Sequence, residues 1–452
     1  MEKLFGKNIY IIGIGGISLS AIANMLLQKN YNVYGSDEKE NEEIEKLRSL
    51  GAEIYIGHDE KNITEKIDLV VFSAAINENN VELVKARELG IKIITRSEML
   101  GIVASEYDCV ISVAGTHGKT TTTGMLSSIF LNSGLNPTIH IGGNFPQING
   151  NVYAGSEKYF ITEACEYVDS FLALRNSYAL VLNIQKDHMD YFKNMINLYN
   201  SFQKFANNTN KNGFLVINAD DDLANKLGCS CKKLTYAINN DADFKAINIA
   251  KMANGKYKFD CLHEGKNVGT FELGVFGIHN IYNALASIVV AITEGIDLDL
   301  LKQSLFEFEG VNRRFQFVGK LNNATVIHDY AHHPSEIVAS LKTARDIFEG
   351  KIYCIFQPHT YTRTKALWNE FKECFKIADE IILYPIYPAR EKPIDGIDCE
   401  RLHKQLVNKV SLYYENYNEI YDYLSKKVKK HDVILILGAG DIVDFIKYFK
   451  KC

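Results

Sequence analysis

Short runs of β-branched and aromatic residues alternate along the chain with longer stretches whose apolar positions recur every three to four residues. The segment "NIYIIGIGGISLSAIANMLLQKNYNVYGSD" (8–37) predicts a strand, a glycine turn, an amphipathic helix and a second strand ending at Asp37. Further strands are predicted at 67–76 and 91–95. A second set opens with "CVISVAGTHGKTTTTGMLSSIFLNSG" (109–134), again strand, glycine turn and helix, and continues with strands at 158–165, 178–184 and 213–221. A third set begins in "ATVIHDYAHHPSEIVASLKTARDIF" (324–348) and continues at 351–357, 380–386 and 432–442. Strands separated by helical stretches read as parallel βαβ units. Three such sets predict an α/β chain of three domains, 1–107, 108–312 and 313–452.

Composition agrees with this division. A chain of 452 residues exceeds one ordinary core, and 46% hydrophobic with 23% charged residues marks a globular protein rather than a disordered one. Lys+Arg number 50 against Asp+Glu 55, a net charge of -5, so no broad positive field invites nucleic acid. The nine cysteines are scattered, and the close pair Cys229 and Cys231 lacks C-x-x-C spacing; reduced thiols in a cytoplasmic protein are expected. The N-terminus enters an apolar strand without a cleavable signal pattern, and no apolar run approaches the roughly 18 residues of a membrane span.

Two glycine turns carry candidate chemistry. "GIGGIS" (13–18) follows a strand and opens a helix, the context of a dinucleotide fingerprint, with Ser18 in place of the third glycine and Asp37 ending the next strand. NAD, another diphosphate such as a UDP-sugar, and a purely structural turn all remain open for this motif. "VAGTHGKTTTT" (113–123) has the order of a phosphate loop, but valine stands at 113 where the usual spacing places a glycine. Gly115 and Gly118 let backbone amides turn toward phosphate oxygens, Lys119 reaches the β- and γ-phosphates, and Thr120 offers a hydroxyl to Mg²⁺. Glu163, at the end of a predicted strand, is the candidate carboxylate for that ion, and His188 lies between Asp187 and Asp190 in a loop.

The stretches "GIGGISLSAIA", "GTHGKTTTT", "EACEYVDSF", "NIQKDHMDYF", "GIHNIYNALA", "EGVNRRFQFVG", "HDYAHHPSEI" and "QPHTYTRT" occur in order, and together they resemble the Mur ligases. Within that family they fit best the members that join L-alanine to UDP-N-acetylmuramate. The family's own G-T-x-G-K-[ST] loop is a shortened one, which accounts for Val113. The resemblance implies an N-terminal Rossmann-like UDP-sugar domain, a central ATP-binding domain with a parallel-rich sheet, and a C-terminal Rossmann-like domain that holds the amino acid. It implies ATP-dependent amide formation through an acyl phosphate, with Mg²⁺, in peptidoglycan precursor synthesis. A murein peptide ligase on the same sugar nucleotide is the alternative inside the family. A UDP-sugar oxidoreductase is the alternative outside it, and would leave Lys119, Glu163 and His188 unexplained.

The resemblance also distributes roles. Gly115, Thr116, His117, Gly118, Lys119, Thr120 and Thr121 would contact ATP, with His279, Asn280 and Asn283 at the adenine, Asp329 at the ribose and Arg314 on a phosphate. Lys119, His188 and Arg314 would carry catalysis, and Thr120, Glu163 and His188 would bind Mg²⁺. Arg313 is expected to be a solvated neighbour of Arg314. Gly15, Gly16, Ser18, Asp37, His58 and Ser73 would face the UDP moiety, and "HIGGN" (140–144) the lactyl and N-acetyl end. Tyr330, His332, His359 and Arg363 would face the sugar nucleotide and alanine; Thr360 replaces an arginine found in some members. His117 gains no physical role from the resemblance. Either a monomer or a dimer is compatible with these motifs.

Overall fold

Strands β1 (Asn8–Ile12), β2 (Asn32–Asp37), β3 (Glu53–Ile56), β4 (Leu69–Phe72) and β5 (Lys92–Thr95) form an all-parallel sheet in the order β3-β2-β1-β4-β5. They belong to a computed structural model that describes residues 5–73, 76–407 and 410–449. The sheet order reverses between β1 and β4, and ligands of open α/β sheets bind where it does so, beyond the carboxyl ends of the strands. The glycine turn 13–18 follows β1 there, and Ser73 follows β4. The predicted strand 67–76 partly overlaps positions 74–75, which lie outside the described residues.

The second sheet contains β6 (Cys109–Ala114), β7 (Thr138–Phe145), β8 (Gly150–Tyr153), β9 (Tyr159–Glu163), β10 (Asn176–Val181), β11 (Thr209–Asn218), β12 (Lys232–Ala237), β13 (Phe244–Lys251), β14 (Tyr257–His263) and β15 (Lys266–Glu272). Its order is β15-β14-β13-β12-β11-β10-β6-β9-β7-β8. The strands from β13 to β7 in that order run parallel, while β14, β15 and β8 extend the edges antiparallel. The hairpin strands at this edge escape the sequence reading because one face is polar and exposed, as in "KNVGTFE". Helices Lys119–Asn132 and His279–Thr293 pack together over the sheet, burying most of the second.

The third sheet contains β16 (Gln316–Leu321), β17 (Ala324–Asp329), β18 (Ile352–Phe356), β19 (Glu380–Leu383), β20 (Ser411–Tyr413) and β21 (Val433–Leu437), in the order β16-β17-β21-β18-β19-β20. Only the edge strand β16 is antiparallel to its neighbour. β21, "VILIL", is buried at every position, as a central parallel strand covered on both faces requires. The thiol expectation needs one correction. Cys229 and Cys231 form a disulfide with Cα atoms 5.3 Å apart, within bridging reach despite the two-residue spacing. Among the described residues no helix is long and apolar enough to cross a membrane.

Candidate active site

The loop between β6 and the helix Lys119–Asn132 is glycine by necessity at two points. Gly115 has φ +141° and Gly118, capping the helix, has φ +87°. A Cβ on Gly118 would also lie 2.6 Å from Asn283 Oδ1. Asn183, just beyond β10, pins the loop from the neighbouring strand: its Oδ1 accepts from the His117 N–H at 2.8 Å and its Nδ2 donates to the His117 carbonyl at 3.0 Å. Thr116 Oγ1 accepts from the Gln185 N–H at 2.8 Å. Lys119 turns back beneath the loop, donating to the Gly115 and Thr116 carbonyls and to Glu166 at 3.0 Å. The Lys119 side chain is 17% exposed and that of Glu166 only 1%. Burial alone would lower the lysine's pKa; the Glu166 carboxylate outweighs it and holds the ammonium raised.

A cavity of about 680 Å³ opens beside this loop, between the second and third sheets. His117, Gly118, Thr120, Thr121, His279, Asn280, Asn283, Arg314 and Asp329 all line it. Asn280 and Asn283 are tied together by a 2.8 Å bond, and Thr122 Oγ1 donates to Asn283 at 3.2 Å. Phe276 and Phe315, which the sequence reading did not single out, bring aromatic faces to the same cavity. Arg314, two residues before β16, reaches across and donates to Thr120 Oγ1 at 3.1 Å. Arg313 is not a solvated neighbour: its guanidinium lies 4.7 Å from the Tyr330 ring centroid, and it donates to the Gly440 carbonyl. Asp329 accepts from Ser340, and burial raises its pKa to about 6.

His188, His359 and Arg363 line a second cavity of about 290 Å³ with Asp187, Thr360 and Glu391. Arg363 Nε donates to Asp187 Oδ1 at 3.1 Å, and Arg363 Nη1 lies 3.1 Å from His359 Nδ1. Burial would raise the Asp187 pKa, but Arg363 and His188 hold it well below the carboxylate range. His332 adjoins this group, its ring 5.9 Å from that of His359 and its Nδ1 3.0 Å from the Tyr330 carbonyl. Burial pushes His332 down to about 3 and lowers His188 as well. His188 packs on Tyr167 at 4.7 Å between centroids.

In the first sheet Asp37 faces the glycine turn itself, accepting from the Gly15 N–H at 2.9 Å. A Cβ on Gly16 would meet the Gly13 carbonyl at 3.3 Å, so both glycines serve a tight turn. His58 is held by a buried carboxylate: its Nδ1 lies 2.9 Å from Glu82, which also accepts from Tyr10, Ser36 and Asn62. Ser18 accepts from Arg96 Nη1 at 3.0 Å and lies 3.4 Å from His140 Nε2, joining the glycine turn to β7 of the second sheet. Burial and Arg96 push His140 down to about 4. Glu166, Asp187 and Asn183 lie inside motifs quoted above, so their signal was adjacency. Arg96 had no such signal.

For Mg²⁺, the candidate donors are the Thr120 hydroxyl, Glu163 and the His188 imidazole. Glu163 accepts from the Gly142 N–H at 2.6 Å through one oxygen, leaving its other oxygen for a cation. Among the described residues no three or more His, Cys, Asp or Glu side chains converge to hold an ion alone. That donor set fits an octahedral cation that keeps several waters and takes the rest of its shell from substrate phosphates.

Three family models cover the chain: "Mur ligase family, catalytic domain" over residues 8–108, "Mur ligase middle domain" over 113–291 and "Mur ligase, glutamate ligase domain" over 313–440. The UDP-N-acetylmuramate–L-alanine ligase of Clostridium beijerinckii is 45% identical over 97% of this chain and 96% of its own. That of Alkaliphilus metalliredigens is 43% identical over 96% and 95%. Among solved structures, the UDP-N-acetylmuramate-alanine ligase MurC of Thermotoga maritima matches with a TM-score of 0.82 and 30% identity, over 98% of each chain. A murein peptide ligase of Psychrobacter arcticus shares the fold with a TM-score of 0.72 at 23% identity, over 98% of each chain. The shortened phosphate loop, the arginine that crosses to it and these likenesses lead to one conclusion: the chain belongs to the Mur ligase family.

Proposed function

We propose that the protein is an ATP-dependent ligase that joins L-alanine to the lactyl carboxylate of UDP-N-acetylmuramate, giving ADP and phosphate. The observation that carries this reading is the cavity shared by the phosphate loop and the third domain, with Thr120 and Arg314 meeting from opposite sides. The division into domains at 107/108 and 312/313 is part of the reading, supported by the change of sheet at each point. ATP as energy source implies a cytoplasmic setting.

A carboxylate resists attack by an amine because its leaving group would be oxide. Attack by the lactyl oxygen on the γ-phosphorus expels ADP and leaves an acyl phosphate. The free amine of alanine then adds to the carbonyl, and phosphate departs as the amide forms. Two anions meet in the first step, so fixed positive charge lowers its barrier. Lys119, the loop amides and the Arg314 fork supply that charge, and Arg314 is suited to it by permanent ionisation and two-pronged geometry. Mg²⁺ at Thr120, Glu163 and His188 would add further neutralisation of phosphate charge. The adenine lies at Phe276, Phe315, His279 and Asn280, with Asp329 accepting from the ribose. Asp187 and Arg363 present opposite charges in the second cavity, matching the ammonium and carboxylate of an amino acid. The UDP moiety lies at the reversal of the first sheet, with Arg96 and Ser18 toward the diphosphate and His140 toward the lactyl end.

Phosphate release with ATP, Mg²⁺ and UDP-N-acetylmuramate tests this, comparing L-alanine, D-glutamate and a tripeptide as acceptors. L-alanine should support turnover and D-glutamate should not. Activity with the tripeptide alone would replace this reading with the peptide-ligase alternative.

A further inference from the structure

His117 sits in the phosphate loop, yet its side chain leaves the second sheet altogether. Its Nδ1 lies 3.0 Å from Glu336 Oε1 and its Nε2 2.7 Å from Ser335 Oγ, both in the first turn of the third-sheet helix Pro334–Ile347. Its backbone N–H and carbonyl are already taken by Asn183. With both ring nitrogens and the backbone engaged, the residue has no free donor to offer a phosphate.

His333 Nε2 lies 3.0 Å from the Lys186 carbonyl, which only accepts, so His333 donates there. His333 Nδ1 accepts from the Ser335 N–H as cap of the helix and lies 2.7 Å from Ser335 Oγ, which therefore donates to it. Ser335 Oγ is then an acceptor toward His117 Nε2, and Glu336 is an acceptor toward His117 Nδ1. His117 thus meets an acceptor at each ring nitrogen, the Glu336 carboxylate at Nδ1 and the Ser335 hydroxyl at Nε2. Glu336 is anchored independently by the backbone N–H groups of His332 and His333 at 3.1 and 3.2 Å. The clasp therefore joins two rigid supports: a loop fixed by Asn183 and a carboxylate fixed by a helix turn.

We propose that His117 is a positioning residue that clasps the third domain onto the phosphate loop, so that the loop is aligned for phosphoryl transfer only when Ser335 and Glu336 are docked against it. This rests on the ligase reading above and gives the loop histidine a role distinct from phosphate binding. Arg314 and Asp329, which belong to the same third domain and line the nucleotide cavity, are brought to ATP by the same docking.

The test compares wild type with His117→Ala, His117→Gln, Glu336→Gln and the double variant His117→Ala/Glu336→Gln in the full chain. Phosphate release and the radius of gyration by X-ray scattering with a non-hydrolysable ATP analogue are both measured. Each single variant should lower kcat by about ten- to a hundredfold, the range for a charge-assisted bond, with KM for UDP-N-acetylmuramate within about twofold of wild type. The double variant should fall within about twofold of the worse single one, because both break one contact. His117→Gln, which keeps one N–H donor, should recover part of the loss. The analogue-induced decrease in radius of gyration should be smaller in the Ala variant than in wild type, while Tm is unchanged. Wild-type kcat and compaction in His117→Ala, or effects that multiply in the double variant, would overturn the clasp. An inactive wild type would instead overturn the ligase reading.

Discussion

Replacing Lys119 by methionine separates what the phosphate loop needs for folding from what it needs for chemistry. The lysine is the ion-pair partner of Glu166, whose side chain is 1% exposed. Lys119→Met leaves that carboxylate buried and uncompensated, which costs about 3–5 kcal/mol of stability when one partner of a buried pair is removed. Lys119→Met/Glu166→Gln removes the stranded charge and keeps shape, and should recover most of that loss. Catalysis should follow a different rule. Both variants lose the ammonium that neutralises the developing phosphate charge, so both should fall by about a hundred- to a thousandfold in kcat or further. Denaturant melts and phosphate release on the three proteins give both numbers. UDP-sugar binding, read by calorimetric titration, should be unchanged throughout. Recovery of activity in the double variant, or Lys119→Met within about tenfold of wild type, would refute the assignment of Lys119 to the transferred phosphate.

Arg363→Ala should raise KM for the amino acid by about tenfold or more while leaving UDP-sugar affinity unchanged, since Arg363 and Asp187 line only the second cavity. Arg96→Ala should weaken UDP-sugar binding by a similar factor without altering binding of an ATP analogue; equal loss for both ligands in calorimetry would contradict its placement. Burial raises Asp329 to about 6, against the pull of Ser340 and Arg314, whereas an unfolded aspartate titrates near ~3.9. Its stabilisation is therefore full below about pH 4 and lost as pH rises through about 6, so the stability advantage of wild type over Asp329→Asn should shrink across that window in denaturant melts. A pH-independent difference would refute it.

The strands that position the site were legible because each is a short, continuous apolar run followed by a glycine turn: β1 before Gly13, β6 before Gly115. What escaped was structure built from half-polar strands. β14 buries two residues and β15 one, and they join as a hairpin, which a reading for parallel units passes over. The site was legible where chemistry is compressed into consecutive residues, as in "GTHGKTTTT". It was less so where function depends on a partner far along the chain. Glu166 beneath Lys119, Arg96 against Ser18, and Glu336 against His117 are 47, 78 and 219 residues apart, and pairing across such distances leaves no periodic trace. Arg313 illustrates the reverse error: a sequence neighbour taken for a solvated bystander stacks on Tyr330, because the Arg313 backbone takes a positive φ of 66° at the junction.

In the proposed mechanism the γ-phosphate passes to the sugar-nucleotide carboxylate before the amine attacks. UDP-N-acetylmuramate labelled with ¹⁸O in its lactyl carboxylate, incubated with ATP, Mg²⁺ and L-alanine, tests it in one mass spectrum. Each turnover should place one ¹⁸O in inorganic phosphate, with ADP as the nucleotide product. Unlabelled phosphate, or label in AMP with pyrophosphate released, would contradict it.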